Sequence, residues 1–248
     1  MPRQSVSQAG ILTMQERRPL SRPQSLTDAV VMYVRDAVIN GELAPGQQLS
    51  EASLAQTLGT SRGTVREAMR VLANLGLVSR SAHRGPVVTV ITPRRAREIY
   101  TLRDLLESFA ARMAAEEGRI DDAAIAMLEE RQQALAEAAR FGDVGALVEA
   151  DMQLHQSLSA LAGDELLLEH LAAIYMHSRR LLVYSDLYDP DFGAVVARHA
   201  RLVDVIRGRD PGTIERAVSD HITEVGRSIV AKMSAASPAL PEPEPASS

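Results

Sequence analysis

Apolar residues recur with a helical period along most of the chain, but the spacing of the breaks changes once. Between Leu26 and about Ile91 the apolar runs are short and punctuated by Gly and Pro, whereas from Thr92 onward they lengthen and are separated by brief polar joints. In the first region a period of 3.6 residues puts Leu26, Val30, Val34 and Val38 on one helical stripe. Asn40-Gly41 suits the end of that helix and Pro45-Gly46 a turn. Ser50 can cap a short helix that turns Leu54, Ala55 and Leu58 inward, and Gly59 breaks it. Ser61 can cap a longer helix from Arg62 to about Leu75, ended by Gly76. The stretch "LVSRSAHRGPVVTVI" then offers two short strands around a Gly-Pro turn. Helix, helix, turn, helix and hairpin predict a winged helix-turn-helix over residues 25–91.

From residue 92 to 234 the pattern predicts an all-α antiparallel bundle of six helices. Thr92-Pro93 caps the first, with Ile99, Leu102, Leu106, Phe109 and Met113 inward. Asp121, Asp143 and Asp164 open the next three, where an acidic residue complements the helix dipole. The fifth runs from about Gly193 to Arg207 and the sixth from about Pro211 to Met233. The fold class is mainly α. Residues 1–24 read as a disordered arm and 235–248 as a disordered Pro-rich tail.

Composition narrows the chemistry. The 248 residues contain no cysteine, which excludes disulfides, thiolate metal sites and thiol nucleophiles. There is no apolar run of membrane-spanning length and no signal-peptide core, so a cytoplasmic protein without membrane association is expected. The formal net charge is −5, so nucleic-acid binding requires a local basic face rather than a basic coat.

One such face exists. On the helix opened by Ser61, Val65, Ala68, Met69 and Leu72 share a side, and Arg62, Arg66 and Arg70 line up beside it at intervals of four, with Thr64 on the other flank. Like charges at that spacing repel, and a polyanion relieves the repulsion. A solvated face partnered by Glu67 would also explain the arginines. The short helix and turn before them and the hairpin after them favour double-stranded DNA.

The stretch "GELAPGQQLSEASLAQTLGTSRGTVREAMRVLANLGLV", followed by "RGPVV", resembles the DNA-binding domain of the GntR family of bacterial transcription regulators. By that resemblance Ser61, Arg62, Thr64, Arg66 and Gly85 contact DNA, with Gly85 at the tip of the wing; Arg70, on the same helix face, and Arg84, beside that glycine, complete the expected DNA-facing set. The chain departs from many members at Gly63-Thr64, and at Ala52, where some members carry a DNA-contacting arginine.

The second region places polar groups where apolar ones are expected. Asp151 and His155 sit one turn apart on the face made by Val144, Leu147, Val148, Leu154, Leu158 and Leu161. His199 lies among Val195, Leu202, Val203 and Ile206, and His221 among Ala217, Val218, Val225 and Ile229. Each alone is explained by an ordinary hydrogen-bonded core residue. Four inward polar groups on three helices call for a shared partner, and neutral imidazoles with one carboxylate suit a divalent cation of Zn, Ni or Mn type.

These helices resemble the FCD effector-binding domain of the FadR-type branch of the same family, through "LRDLLES", "DMQLHQSL", "RHARLVDVIRGRD" and "AVSDHITEV". The resemblance implies metal ligands at Asp151, His155, His199 and His221, and a small carboxylate effector met by Arg103; His177, at the edge of its helix's apolar stripe, is expected as a further pocket residue. An edge salt bridge from Arg103 to Glu107 is the competing reading of that arginine. The whole describes a ligand-responsive regulator, a repressor by the family's commoner behaviour, acting as a homodimer on a palindromic operator. Two alternatives share its features: a metal-dependent enzyme with an attached nucleic-acid-binding domain, and a DNA-binding protein with a purely structural metal. The first lacks any HExxH, Gly-x-Ser-x-Gly or P-loop pattern.

Overall fold

The computed structural model describes residues 25–81, 85–184 and 188–236. The expected arm, the tail from residue 237 and Arg84 fall outside them. The described residues form a winged head and a helical bundle, each around its own apolar core.

In the head, α1 (Leu26–Ile39), α2 (Glu51–Thr57) and α3 (Arg62–Asn74) are followed by β1 (Val78–Ser81) and β2 (Gly85–Val88). Ser25, Ser50 and Ser61 cap the three helices, each accepting a backbone N–H three residues on. The core of α3 is Val65, Ala68, Met69 and Leu72, each at 0% exposure, closed by Val34 and Val38 from α1 and Leu77 and Val88 from the hairpin. The strands are antiparallel, Val78 opposite Val88 and Ser81 opposite Gly85. Gly85 and Pro86 therefore begin the second strand rather than forming the turn. The backbone of residues 46–49 also bonds to β2, through Gly46 N–H to the Val88 carbonyl and Leu49 N–H to the Pro86 carbonyl.

In the bundle follow α4 (Pro93–Glu116), α5 (Asp122–Phe141), α6 (Val144–Ala160), α7 (Glu165–Tyr184), α8 (Phe192–Ile206) and α9 (Pro211–Ala236). Thr92 caps α4 with Pro93 in its first turn. Asp121, Asp143, Asp164, Asp191 and Asp210 accept the free N–H groups at the starts of the other five. Asp191 thus places the start of α8 at Phe192, just before the expected Gly193. None of the described helices is long and apolar enough to cross a membrane.

α4 packs along α9 in antiparallel fashion: Tyr100 lies against Gly226 near one end and Arg112 pairs with Glu215 near the other. A Cβ on Gly226 would sit 2.6 Å from that of Tyr100, so only hydrogen fits at this crossing. Here the expected inward stripe of α4 needs correction. Ile99 is buried, but Leu102 and Phe109 are 46% and 39% exposed, together with Leu105 at 59%. The buried side consists instead of Arg103 and Glu107, which neutralise each other, and of Ala110, Ala111 and Ala114, which allow close helix approach. Leu26 in α1 and Val144 in α6 are likewise exposed rather than inward, both in the first turns of their helices.

Candidate metal centre and DNA-reading face

On the head, α3 turns its apolar side into the core and leaves Arg62, Arg66 and Arg70 exposed. Glu67 sits 2.6 Å from Arg70, as the sequence spacing suggested, and Arg66 also meets Glu51 of α2 at 3.3 Å. Both pairs are largely solvated, where an ion pair contributes about 0–1 kcal/mol and is easily exchanged for a phosphate. Arg62 has no ionic partner among the described residues. Ser61 Oγ accepts the Thr64 N–H at 3.0 Å and lies 2.9 Å from Thr64 Oγ1, so the two hydroxyls shape the start of the helix. Gly85 has φ +71° with open space around it, a backbone that a side chain would strain.

Inside the bundle, α6, α8 and α9 bring three imidazoles to one point. His155, His199 and His221 each present a ring nitrogen, all within 4.8 Å of one another. Asp151 joins them through one oxygen: Oδ1 lies 3.0 Å from His199 Nε2 and 3.4 Å from His155 Nε2.

The outer partners fix which nitrogen faces inward. A carbonyl can only accept, so His199 Nδ1–H donates to Val195 O at 2.9 Å. His155 Nδ1 lies 2.8 Å from Glu107 Oε2. Burial alone would push the Glu107 carboxyl up, but Arg103 and then His155 bring it down to about 2. Glu107 is therefore an anion and accepts from Nδ1–H. Both rings, when neutral, turn an Nε2 lone pair toward Asp151 Oδ1. Burial opposes the charge on Asp151, yet His199, then His155 and Arg103, hold its carboxyl well below the usual range. Lone pairs of two imidazoles thus face an anionic oxygen, an arrangement that needs a positive charge among them. Burial first, and His199 and His155 next, push the His221 imidazole well below its ordinary value, so this ring is a neutral donor. The donor set fits a divalent cation of borderline softness.

Asp151 Oδ2 accepts from the Tyr188 hydroxyl at 3.2 Å. Burial and the neighbouring Asp151 raise the Tyr188 pKa, which keeps that proton in place. Arg103 is buried rather than at an edge. Its Nε donates to Glu107 Oε1 at 2.6 Å and its Nη1 to Ser178 Oγ at 3.1 Å, with the Tyr100 and Tyr175 rings 5.3 and 5.6 Å from its guanidinium carbon. The imidazoles open on a cavity of about 170 Å³, also lined by Arg103, Arg198 and Lys232.

His177 is not among the residues lining this cavity. Its ring packs on Gly76, just past Leu75 at the end of α3. Burial and then Arg180 and Arg95 lower its pKa to about 4. The apolar period of α7 leaves His177 at the edge of its stripe, and the head covers that edge. Glu107 as the partner of His155, and Ser178 and Tyr188 beside it, were not identified from the sequence. Only the four-residue spacing of Arg103 and Glu107 gave any signal.

Comparison with known proteins agrees with both halves. Residues 26–88 match the model for bacterial regulatory proteins of the gntR family, and residues 98–224 match the FCD domain. The chain is similar to the HTH-type transcriptional repressor RspR of Escherichia coli (strain K12), 26% identical over 85% of this chain and 91% of that protein. It is similar to a probable D-xylose utilization operon transcriptional repressor of Paenarthrobacter nicotinovorans, 29% identical over 78% and 85%. The fold is shared with a GntR-type regulator of Rhodococcus sp. RHA1, with a TM-score of 0.70 at 23% identity over 83% of this chain and 97% of that one. A winged head joined to an FCD bundle, matched in sequence across more than half the chain, makes this protein a DNA-binding transcription regulator of the GntR family with an FCD effector domain.

Proposed function

We propose that this regulator is a repressor that senses a small organic acid through a divalent cation held by Asp151, His155, His199 and His221. The observation that carries the reading is the convergence of three imidazole nitrogens within 4.8 Å, two of them with their outer N–H already committed. Bound there, the cation would supply a Lewis-acidic contact for a carboxylate. Arg103 and Arg198 add positive charge to the wall, and the cavity volume suits a small molecule. Repression is supported by the two repressors that the chain resembles.

On the head, Ser61, Arg62, Thr64, Arg66 and Arg70 face the duplex and Gly85 lets the wing approach its minor groove. A single α3 reads few base pairs, so two heads related by two-fold symmetry on a palindromic operator are expected. The solvent-facing row Leu102, Leu105 and Phe109 on α4 supports a second copy as the partner, since exposed apolar side chains in a row favour association.

The test is a melting screen of metabolite carboxylates on the Zn²⁺-loaded and chelator-treated protein. One acid should raise the melting temperature only when metal is present, by the linkage of ligand to the folded state. No acid acting in either form would remove the sensing role and leave the DNA-binding role intact.

A further inference from the structure

The buried polar groups do not stop at the metal centre. Glu107 holds His155 with Oε2 and is itself gripped by Arg103, whose Nη1 reaches Ser178 on α7. Ser178 is 0% exposed, so no water competes for this bond. Its neighbours on α7 face the other way. Met176 packs on the core of the head, and the His177 ring lies against Gly76, next to Leu75 at the end of α3. Arg179 bonds Asn40 Oδ1 at the end of α1 at 3.1 Å and pairs with Glu149 of α6. One short segment of α7 therefore bonds the arginine behind the metal centre on one side and lies against the end of the DNA-reading helix on the other.

We propose that Glu107, Arg103, Ser178 and His177 form a relay of positioning residues that transmits occupancy of the metal centre to α3. This inference rests on the metal-sensing reading above. With a cation on its Nε2, the His155 ring would be polarised and its bond to Glu107 strengthened. Arg103 holds both Glu107 oxygens with a rigid planar fork, so it follows that movement and draws Ser178 with it.

The other end of the relay is placed to act as a pivot. The carbonyls of the last helical turn lack intrahelical partners, and the His177 ring lies beside that end of α3, against Gly76. Gly76 has φ +68°, with the imidazole Cε1 3.5 Å from where its Cβ would be. The backbone therefore seats directly on the ring at a position that disfavours any side chain. Ser61 and Arg62 lie at the far end of α3. A helix of this length spans about 20 Å, so a tilt of about 5° at Leu75 moves Arg62 by on the order of 2 Å. A cavity of about 780 Å³ between head and bundle, lined by Leu75, Met176 and Arg179 among others, leaves room for that tilt.

Hydrogen exchange on the full-length protein, with and without Zn²⁺, tests the relay without needing the operator or the acid. In the wild type, Zn²⁺ should slow exchange about threefold or more in peptides from α6 and in those covering residues 62–78. Ser178→Ala and His177→Ala should keep the α6 response and lose the response at 62–78. His177→Gln, which keeps a planar polar group against the end of α3, should restore it. His177→Ala leaves the metal cluster untouched, so a folding defect in Ser178→Ala does not decide the outcome. An undiminished response at 62–78 in both alanine variants would overturn the relay while leaving metal binding in place. So would a wild type that responds at α6 alone. Absence of any Zn²⁺ response at α6 would overturn the metal reading and the relay together.

Discussion

Two arginine–glutamate pairs show how differently the two halves of the molecule use charge. On the head, Arg66 and Glu51 meet at 3.3 Å with side chains 51% and 20% exposed. In the bundle, Arg103 and Glu107 meet at 2.6 Å with side chains 3% and 1% exposed. Water has already solvated the first pair, so either partner can leave at little cost and Arg66 is available to a phosphate. The second pair has given up its hydration and cannot separate without leaving a charge in an aliphatic core. A surface that must exchange partners is built from the first kind of contact. A centre that must hold a geometry is built from the second.

The comparison predicts a wide spread of mutational costs. Arg103→Ala should lose about 3–5 kcal/mol of stability in urea denaturation, because Glu107 is left buried and unpaired. Arg66→Ala should lose about 1 kcal/mol or less in the same assay, and similar losses for the two would break the comparison.

The candidate metal centre comes next. Glu107→Gln should weaken metal affinity about 10–100-fold, the usual effect of removing the group that orients a ligating imidazole. His155→Ala combined with His199→Ala should abolish bound metal by elemental analysis, and full occupancy would take those residues out of the centre. On the head, Arg66→Ala should weaken operator binding and lower the slope of log affinity against log salt by about one. An unchanged slope would leave Arg66 as surface decoration. Ser61→Ala should lose about 1 kcal/mol of stability with the cap of α3. A weaker operator affinity would accompany it as the helix start frays.

The same contrast explains how much of the molecule was legible in its sequence. The head is a local construction: Ser25, Ser50 and Ser61 cap their own helices three residues on, and the period within α3 decides which arginines face out. The inward aim of Asp151, His155, His199 and His221 was equally local, since each interrupts an apolar stripe of its own helix. What surrounds them was not. His155 finds Glu107 across 48 positions, Arg103 finds Ser178 across 75, and Asp151 finds Tyr188 across 37. Such partners are chosen by helix packing, which no single stripe encodes. On α4 the hydrophobic pattern pointed the wrong way for Leu102 and Phe109. It scores an arginine and a glutamate as two solvent-seeking groups, whereas four residues apart they cancel each other and can be packed inside. His177 shows a similar blind spot, because its covering surface belongs to the head.

The hydroxyl of Tyr188 has one further consequence. By donating to Oδ2 it leaves Asp151 only Oδ1 to turn toward the imidazoles. Chelation through both carboxylate oxygens is thereby discouraged, and with it the oxygen-rich, seven- or eightfold shells that calcium prefers. Discrimination against the abundant alkaline-earth ions of a cell would rest on a phenol that touches no ion itself.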